Sequence, residues 1–359
     1  TAPLYHAEIG VVGDDAYFMF AGAHVLSDGF GFYNLIADFA ARYADPAYVS
    51  PDTASPADTL EPYTRSREEV VEYFSGLFSG VDSFQIDGWD RRDELGRIPG
   101  AITRSLLPAA EYNAAGDVAR GLGVRRYTVL FTTMAMTVGA LSGVDTVVIS
   151  TPMSNRRSGD ASQSTRGVRV NALPVRFDLA GDDSFADLCR RTDRQLARLI
   201  EFEQHAFSDY SRSVVGSESM DSTQPSVAFT LYPRPLAAAA DGERGEPVNV
   251  DRRYLQYPLT INVEVSDADA TLIVERADYL PDCDVAQVYR HVLAQAIEAR
   301  GAVRLGDVEW AHGEHAARVD IETTFPSRTM GGAFAAAVAA HPDRTAVVED
   351  DVQVTFGEL

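Results

Sequence analysis

The sequence predicts an α/β protein built as more than one unit, and three observations carry that expectation. Strand-type and helix-type hydrophobic patterns alternate from about residue 102 to residue 299. A hairpin pattern followed by a long amphipathic helix opens the chain. The 359 residues, 45% hydrophobic and 23% charged, supply a sizeable core in a chain too long for one small domain.

Each element has its own signal. Glu8–Val12 and Ala16–Val25 flank the turn Gly13-Asp14-Asp15 and read as a β-hairpin, with Ala16-Tyr17-Phe18-Met19-Phe20 as a buried apolar strand. From Gly31 to Ala44, Phe32, Leu35, Ile36, Phe39, Ala40 and Tyr43 recur at helical spacing, which predicts one buried face. Residues 45–62, rich in Pro, Ser, Ala and Asp, read as a loop, and a short helix with Val70, Val71, Tyr73, Phe74 and Leu77 ends at Gly80. Ile102–Leu107 reads as a strand and Ala109–Leu122 as a helix closed by Gly123. Tyr127–Leu141 is apolar on all sides, so that helix should be covered on most of its surface. Strands follow at Thr146–Thr151 and Val168–Phe177, then a helix from its Ser184 cap to about Phe202. Ser226–Leu231, Leu259–Val265 and Thr271–Arg276 read as strands, Ala237–Glu246 as a mobile surface loop, and Asp284–Ala299 as a final helix.

Composition excludes several function classes. A net charge of −22 repels phosphate backbones and anionic lipid, so neither nucleic acid nor membrane is an expected partner. No apolar run approaches the roughly 20 residues that span a bilayer, and no signal peptide opens the chain. The two cysteines, Cys189 and Cys283, lie far apart, with no Cys or His at metal spacing. Structural thiols in a reducing cytoplasm and no metal site are expected. Thr1-Ala2-Pro3 lacks an initiator Met and leads at once into a strand, as expected of an interior piece of a longer polypeptide.

The chemistry concentrates in His24-Val25-Leu26-Ser27-Asp28-Gly29. A strand hands over to a helix there, with the backbone held on both sides. Asp28 is placed to fix the turn and engage a cation, Gly29 to take a conformation other residues resist, and His24 to face a cleft. A capped helix with an ordinary His nearby is the plainer reading of the hexapeptide alone.

Ala23-His24-Val25-Leu26-Ser27-Asp28-Gly29 resembles the signature His-His-x-x-x-Asp-Gly of condensation domains of nonribosomal peptide synthetases, with Ala23 in place of the first His. Further likeness lies in Tyr73-Phe74 through Gly80, in Ser150-Thr151-Pro152-Met153-Ser154-Asn155-Arg156, in Val170-Asn171-Ala172-Leu173-Pro174-Val175-Arg176 and in His205-Ala206-Phe207. Thr345-Ala346-Val347-Val348 and Thr355-Phe356-Gly357-Glu358-Leu359, after His341-Pro342-Asp343, resemble the opening of an adenylation domain, stopping before its nucleotide-binding motifs.

The resemblance implies a two-lobed chloramphenicol-acetyltransferase-like α/β fold, with a mixed sheet in each lobe, a cleft between them and an incomplete N-terminal lobe. On that reading residues 1–97 belong to the N-terminal lobe, 98–315 to the C-terminal lobe, 316–326 to a linker and 327–359 to an adenylation domain. It implies amide-bond formation between a donor acyl or peptidyl thioester and an acceptor aminoacyl thioester. The partners implied are upstream donor and downstream acceptor peptidyl carrier proteins, with an adenylation domain in cis. The domain itself would bind no cofactor, 4′-phosphopantetheine being carried by the partner carrier proteins.

His24 is the expected catalytic residue, either as base or as orienting acceptor for the attacking amine. Gly29 offers a backbone N–H to the developing oxyanion or merely turn geometry. Asp28 is expected to be architectural, with Arg156 as its partner, and Ala23 to be structural at the site. Asn171 and Ser27 are assigned to the substrate tunnel, though Asn171 could also satisfy a strand end; His205 is expected to cap or pack. His312, His315 and His341 are expected in solvent. Rival readings are an epimerisation domain, which is not normally followed by an adenylation domain, and a CoA-dependent His-x-x-x-Asp-Gly acyltransferase. A catalytically degenerate docking domain that recruits a partner enzyme is a third, made credible by Ala23. A cyclisation domain would carry Asp-x-x-x-x-Asp in place of the motif, where this sequence has Ala23 rather than a first Asp.

Overall fold

The computed structural model describes residues 4–50, 63–156, 161–179, 182–215, 223–233, 239–240, 243–244, 252–266, 269–309, 338–339, 342, 344–349, 352–355 and 357. They fall in two units, Thr1–Ala311 and His312–Leu359. The linker 316–326, all but residues 338–339 of the helix expected over Met330–Ala340, and His312, His315 and His341 lie outside the described residues, as do residues 51–62 of the first loop.

The first unit opens with an antiparallel hairpin, β1 (Tyr5–Val12) and β2 (Asp15–Gly22), whose register pairs Val12 with Asp15. Gly13, at φ 63°, gives the tight turn the left-handed residue it needs. The hairpin is a sheet of two strands, so the expected burial of Ala16–Phe20 is corrected: Tyr17, Phe18 and Met19 are exposed. Cover comes from one side only, where α1 (Gly29–Ala44) stacks Phe39 on Phe18 at 4.1 Å and sets Phe32 against Phe20 at 5.9 Å. The expected buried face of α1 is corrected likewise, since Ile36, Phe39 and Tyr43 are exposed. Strand β2 also stops at Gly22, leaving His24 on a turn rather than a strand end.

The core lies further along. Helix α2 (Arg67–Leu77) starts at a capping box between Ser66 and Glu69 and buries Val70 and Phe74. Phe74 and Phe78 join Phe84, Phe202, Phe207 and Tyr210 in one aromatic cluster. Strand β3 (Ile98–Leu107), helices α3 (Ala109–Leu122) and α4 (Arg126–Ser142), and strands β4 (Thr146–Met153) and β5 (Asn171–Asp178) follow. Gly123 ends α3 in the left-handed conformation at φ 70°. Residues 128–138 of α4 are all buried, because α3, the helices Phe185–Leu199 and Val285–Glu298, and the sheet surround it. Helix α5 (Phe185–Leu199) begins at a Ser184–Asp187 capping box. Helix α6 (Ser211–Val215), strand β6 (Val227–Pro233), a short ribbon β7 (Ala239–Ala240) and β8 (Glu243–Arg244), strands β9 (Tyr254–Leu255), β10 (Leu259–Val265) and β11 (Ala270–Ala277), and helix α7 (Val285–Glu298) complete the unit. Of the loop expected over Ala237–Glu246, only β7 and β8 are described.

Seven strands form one mixed sheet in the order β5-β4-β6-β10-β11-β3-β9. Strand β6 runs parallel to β4 and β10, and the other pairs are antiparallel. In β10, Leu259, Ile261 and Val263 are buried while Thr260, Asn262 and Glu264 line the opposite face. That alternation leaves a polar sheet face as the floor of a cavity. The second unit contains the antiparallel pair β12 (Thr345–Glu349) and β13 (Val352–Thr355). No described helix is long and apolar enough to cross a membrane.

Candidate active site

The turn that carries His24 is held from the backbone. Ala23 donates its N–H to Leu4 O at 2.8 Å and accepts from Leu26 N at 2.9 Å, reversing the chain between β2 and α1. His24 is exposed and lines a cavity of about 1540 Å³. Ser27 and Asp28, three and four residues on, are buried.

Asp28 is the N-cap of α1, its Oδ1 accepting from Gly31 N at 2.9 Å. Oδ2 accepts from the amides of Arg169 at 2.8 Å and Val170 at 3.0 Å. Those two amides are spent on Asp28, which is why β5 begins at Asn171 and not at Val168. Arg156 Nη2 reaches both oxygens, at 2.8 and 3.1 Å, and each side chain is only 3% exposed. The contact is a single nitrogen shared between two oxygens, not a parallel fork. Both terminal nitrogens also serve the backbone: Nη1 bonds the carbonyls of Ser162 and Thr165 at 2.7 and 2.6 Å, and Nη2 that of Gly167 at 2.9 Å, while Nε finds no partner among the described residues. Burial by itself pushes the Asp28 pKa up, but the amides of Gly31 and Arg169 and the Arg156 charge outweigh it, and it lies below its ordinary value. Asp28 is therefore ionised at neutral pH and has no proton to give.

His24, Asp28, Gly29 and Arg156 all line the cavity. Two tunnel assignments do not hold. Ser27 points its hydroxyl at Arg166 O at 2.5 Å, and Asn171 Nδ2 donates to the carbonyls of Glu203 and His205 at 3.0 and 2.5 Å. Both are tied to backbone and neither belongs to the lining. His205 packs on Tyr63 at 4.4 Å and bonds Arg65 O at 2.9 Å. Cys189 is buried, and burial pushes its thiol up to about 12, which rules out a thiolate nucleophile at neutral pH.

Gly29 also differs from expectation. Its φ is not positive, and a Cβ there would meet nothing within 4 Å, so the glycine leaves the cavity open beside the first amide of α1. At this site the glycine that packing requires is Gly31, where a Cβ would overlap Ser27 Oγ and Arg166 O. Gly31→Ala is expected to cost roughly 1–3 kcal/mol through overpacking against backbone, while Gly29→Ala stays within about 0.5 kcal/mol of wild type. Urea denaturation of the two variants side by side measures both; equal midpoints would refute the assignment.

Sequence reasoning also missed the floor: Arg104, Asn262, Glu264 and Glu275 line it, and Glu275 is 4% exposed, bonding Arg252 Nη2 at 2.5 Å. The polar alternation Thr260-Asn262-Glu264 within an apolar strand is the signal that marks it. At about 1540 Å³ the cavity exceeds the roughly 300–1,000 Å³ of single small-molecule sites.

An accessible imidazole at the mouth of a helix N-terminus, inside so large a cavity, is the layout of an acyl-transfer domain. The chain belongs to the condensation-domain family, whose sequence model matches residues 1–274. Among curated relatives, chondramide synthase of Chondromyces crocatus is 25% identical over 94% of this chain, and a dimodular nonribosomal peptide synthase of Bacillus subtilis is 22% identical over 100% of it. The chain spans 9% and 16% of those two proteins. Among solved structures, the first condensation domain of the CDA synthetase aligns with TM-score 0.63 at 18% identity, covering 86% of this chain and 70% of that one. A four-domain nonribosomal peptide synthetase aligns with TM-score 0.70 at 14% identity over 99% of this chain and 29% of that one. The X-domain from teicoplanin biosynthesis aligns with TM-score 0.67 at 17% identity, covering 85% and 74%. At these identities the structural likenesses show the fold, a chloramphenicol-acetyltransferase-like α/β architecture.

Proposed function

We propose that this domain forms the peptide bond of nonribosomal peptide synthesis, within a longer synthetase. The observation that carries the reading is His24, exposed on the cavity beside an α1 start that Asp28 and Arg156 hold in place. The acceptor amine attacks the donor thioester carbonyl; the C–N bond forms, the C–S bond breaks, and the leaving thiolate takes up the proton the amine loses. His24 accepts or orients that amine proton, and much of the acceleration comes from alignment of the two thioesters. The first amides of α1, at Gly29 and Phe30, belong to cavity-lining residues and have no partner within the helix, and would be the donors to the developing oxyanion.

Both substrates would arrive as thioesters of 4′-phosphopantetheine on donor and acceptor carrier proteins. Residues 1–97 and 98–315 would form the two walls of the cleft, 316–326 a linker, and 327–359 the start of an adenylation domain acting in cis. A cytoplasmic setting would suit the free, buried thiol of Cys189. A docking domain that recruits a partner enzyme is the second reading, favoured by Ala23 at the first position of the motif.

The test is a condensation assay on the domain in its native synthetase, with both carrier proteins loaded. A dipeptidyl thioester on the acceptor carrier is the expected product. Transfer from a soluble CoA thioester with no response to carriers would overturn the reading, and carrier binding without product would favour the docking role.

A further inference from the structure

The segment 161–170 crosses the start of α1 and is tied to it at successive turns. Ser27, just before the helix, donates to Arg166 O at 2.5 Å. Asn34, in its second turn, donates from Nδ2 to Gln163 O at 2.8 Å. Asp38, a turn further on, accepts from Arg166 Nη2. The same carboxylate accepts from the hydroxyls of Ser50 and, at 3.1 Å, Tyr48, and Arg166 Nη2 also donates to Ser50 Oγ at 3.2 Å. Gly31 permits the approach, since a side chain there would collide with the Arg166 carbonyl.

Arg166 thus touches α1 at two ends. Its guanidinium is anchored on Asp38 in mid-helix, and its carbonyl receives the hydroxyl of Ser27, three residues from His24. It does not line the cavity, so it acts on the chemistry indirectly, the shortest route to His24 running from its own carbonyl to Ser27.

We infer that Arg166 is a positioning residue for His24: anchored on Asp38, it fixes the Ser27 hydroxyl and with it the turn that presents the imidazole. The inference rests on the reading of His24 as the reacting imidazole. The anchor is a salt bridge of intermediate exposure, 31% and 15% for the two side chains. Its removal should loosen the turn more than it destabilises the fold, because no fully buried charge is stranded.

The test compares Arg166→Met, Arg166→Lys and Asp38→Asn in the native synthetase. Small misplacement of a reacting group costs up to about a hundredfold. Arg166→Met should lower kcat about tenfold with KM for the acceptor within about twofold, the split expected when alignment is lost. Lysine keeps a cation for Asp38 and should recover kcat to within about threefold. Asp38→Asn weakens the same link, besides its bonds to Tyr48 and Ser50, and should also lower kcat; the double variant should lose less than the two single losses combined, because the two changes share that link. An unchanged kcat, or additive losses, would overturn the inference.

A second readout is independent of catalysis. In imidazole-selective NMR, Arg166→Met should shift and broaden the ring signals of His24 and leave those of His205 and His291 in place. His24 signals that stay put, or all histidines moving together, would refute positioning. If wild type makes no peptide bond while the His24 signals respond as stated, the functional reading fails and the positioning stands.

Discussion

Replacing His24 by alanine is expected to abolish peptide-bond formation, a loss of about 10²–10⁴-fold or more given what positioned proton acceptors contribute. The structure makes the experiment a clean one. His24 is exposed on the cavity and sits on a turn held by backbone hydrogen bonds of Ala23 and Leu26. Removing the ring therefore strands no buried partner, and thermal or urea midpoints should match wild type to within about 0.5 kcal/mol. Ala23→His, which inserts the residue of the family signature, should change the rate only modestly. Ala23 contributes its amide and carbonyl to the turn, and neither depends on the side chain. Dipeptidyl thioester formation between loaded carriers measures both variants. Full activity in His24→Ala, or a large effect confined to Ala23→His, would remove His24 from the mechanism and strengthen the docking reading.

The parts of this protein legible in its sequence are those decided locally. Helix α3 begins and ends where Ala109, Leu122 and Gly123 place it, because a left-handed glycine stops it whatever packs nearby. Ser184 caps α5 for the same reason, and strands β4, β6, β10 and β11 follow from β-branched runs between turn residues. Burial around the hairpin was not legible. The spacing of Phe32, Ile36 and Phe39 states which face of α1 is apolar, but not whether anything covers it.

At the site, the motif picks out His24, Asp28 and Gly29, and the resemblance supplies Arg156 as a partner 128 residues away. The role of Gly31 was hidden, because its constraint comes from a carbonyl 135 residues on, which no local pattern reports. Ser27 and Asn171 were misassigned for a related reason. A short polar side chain beside a motif reads as a ligand contact until the backbone group that takes its hydrogen bond is known.

Asp28→Ala is expected to be the most destabilising single change in the site, about 3–5 kcal/mol, against a total stability of roughly 5–15 kcal/mol for a typical protein. It would strand Arg156, 3% exposed, among the carbonyls of Ser162, Thr165 and Gly167, and would leave the amides of Gly31, Arg169 and Val170 without their acceptor. Arg156→Ala should cost less. The carboxylate it leaves still accepts from those three amides, and under-satisfied carbonyls are tolerated better than orphaned N–H groups. Asp28→Asn separates charge from shape. Because the folded-state pKa of Asp28 is lowered, its ionised form contributes stability in full above the unfolded value near 3.9, and that contribution fades as pH falls through the folded value. The gap in unfolding free energy between wild type and Asp28→Asn should therefore be constant well above the unfolded value and shrink as pH falls below it. Urea titrations across that range give the gap directly. A gap that does not shrink in acid, or an Asp28→Ala protein as stable as wild type, would show that the carboxylate at the head of α1 is not what holds the helix to Arg156 and residues 161–170.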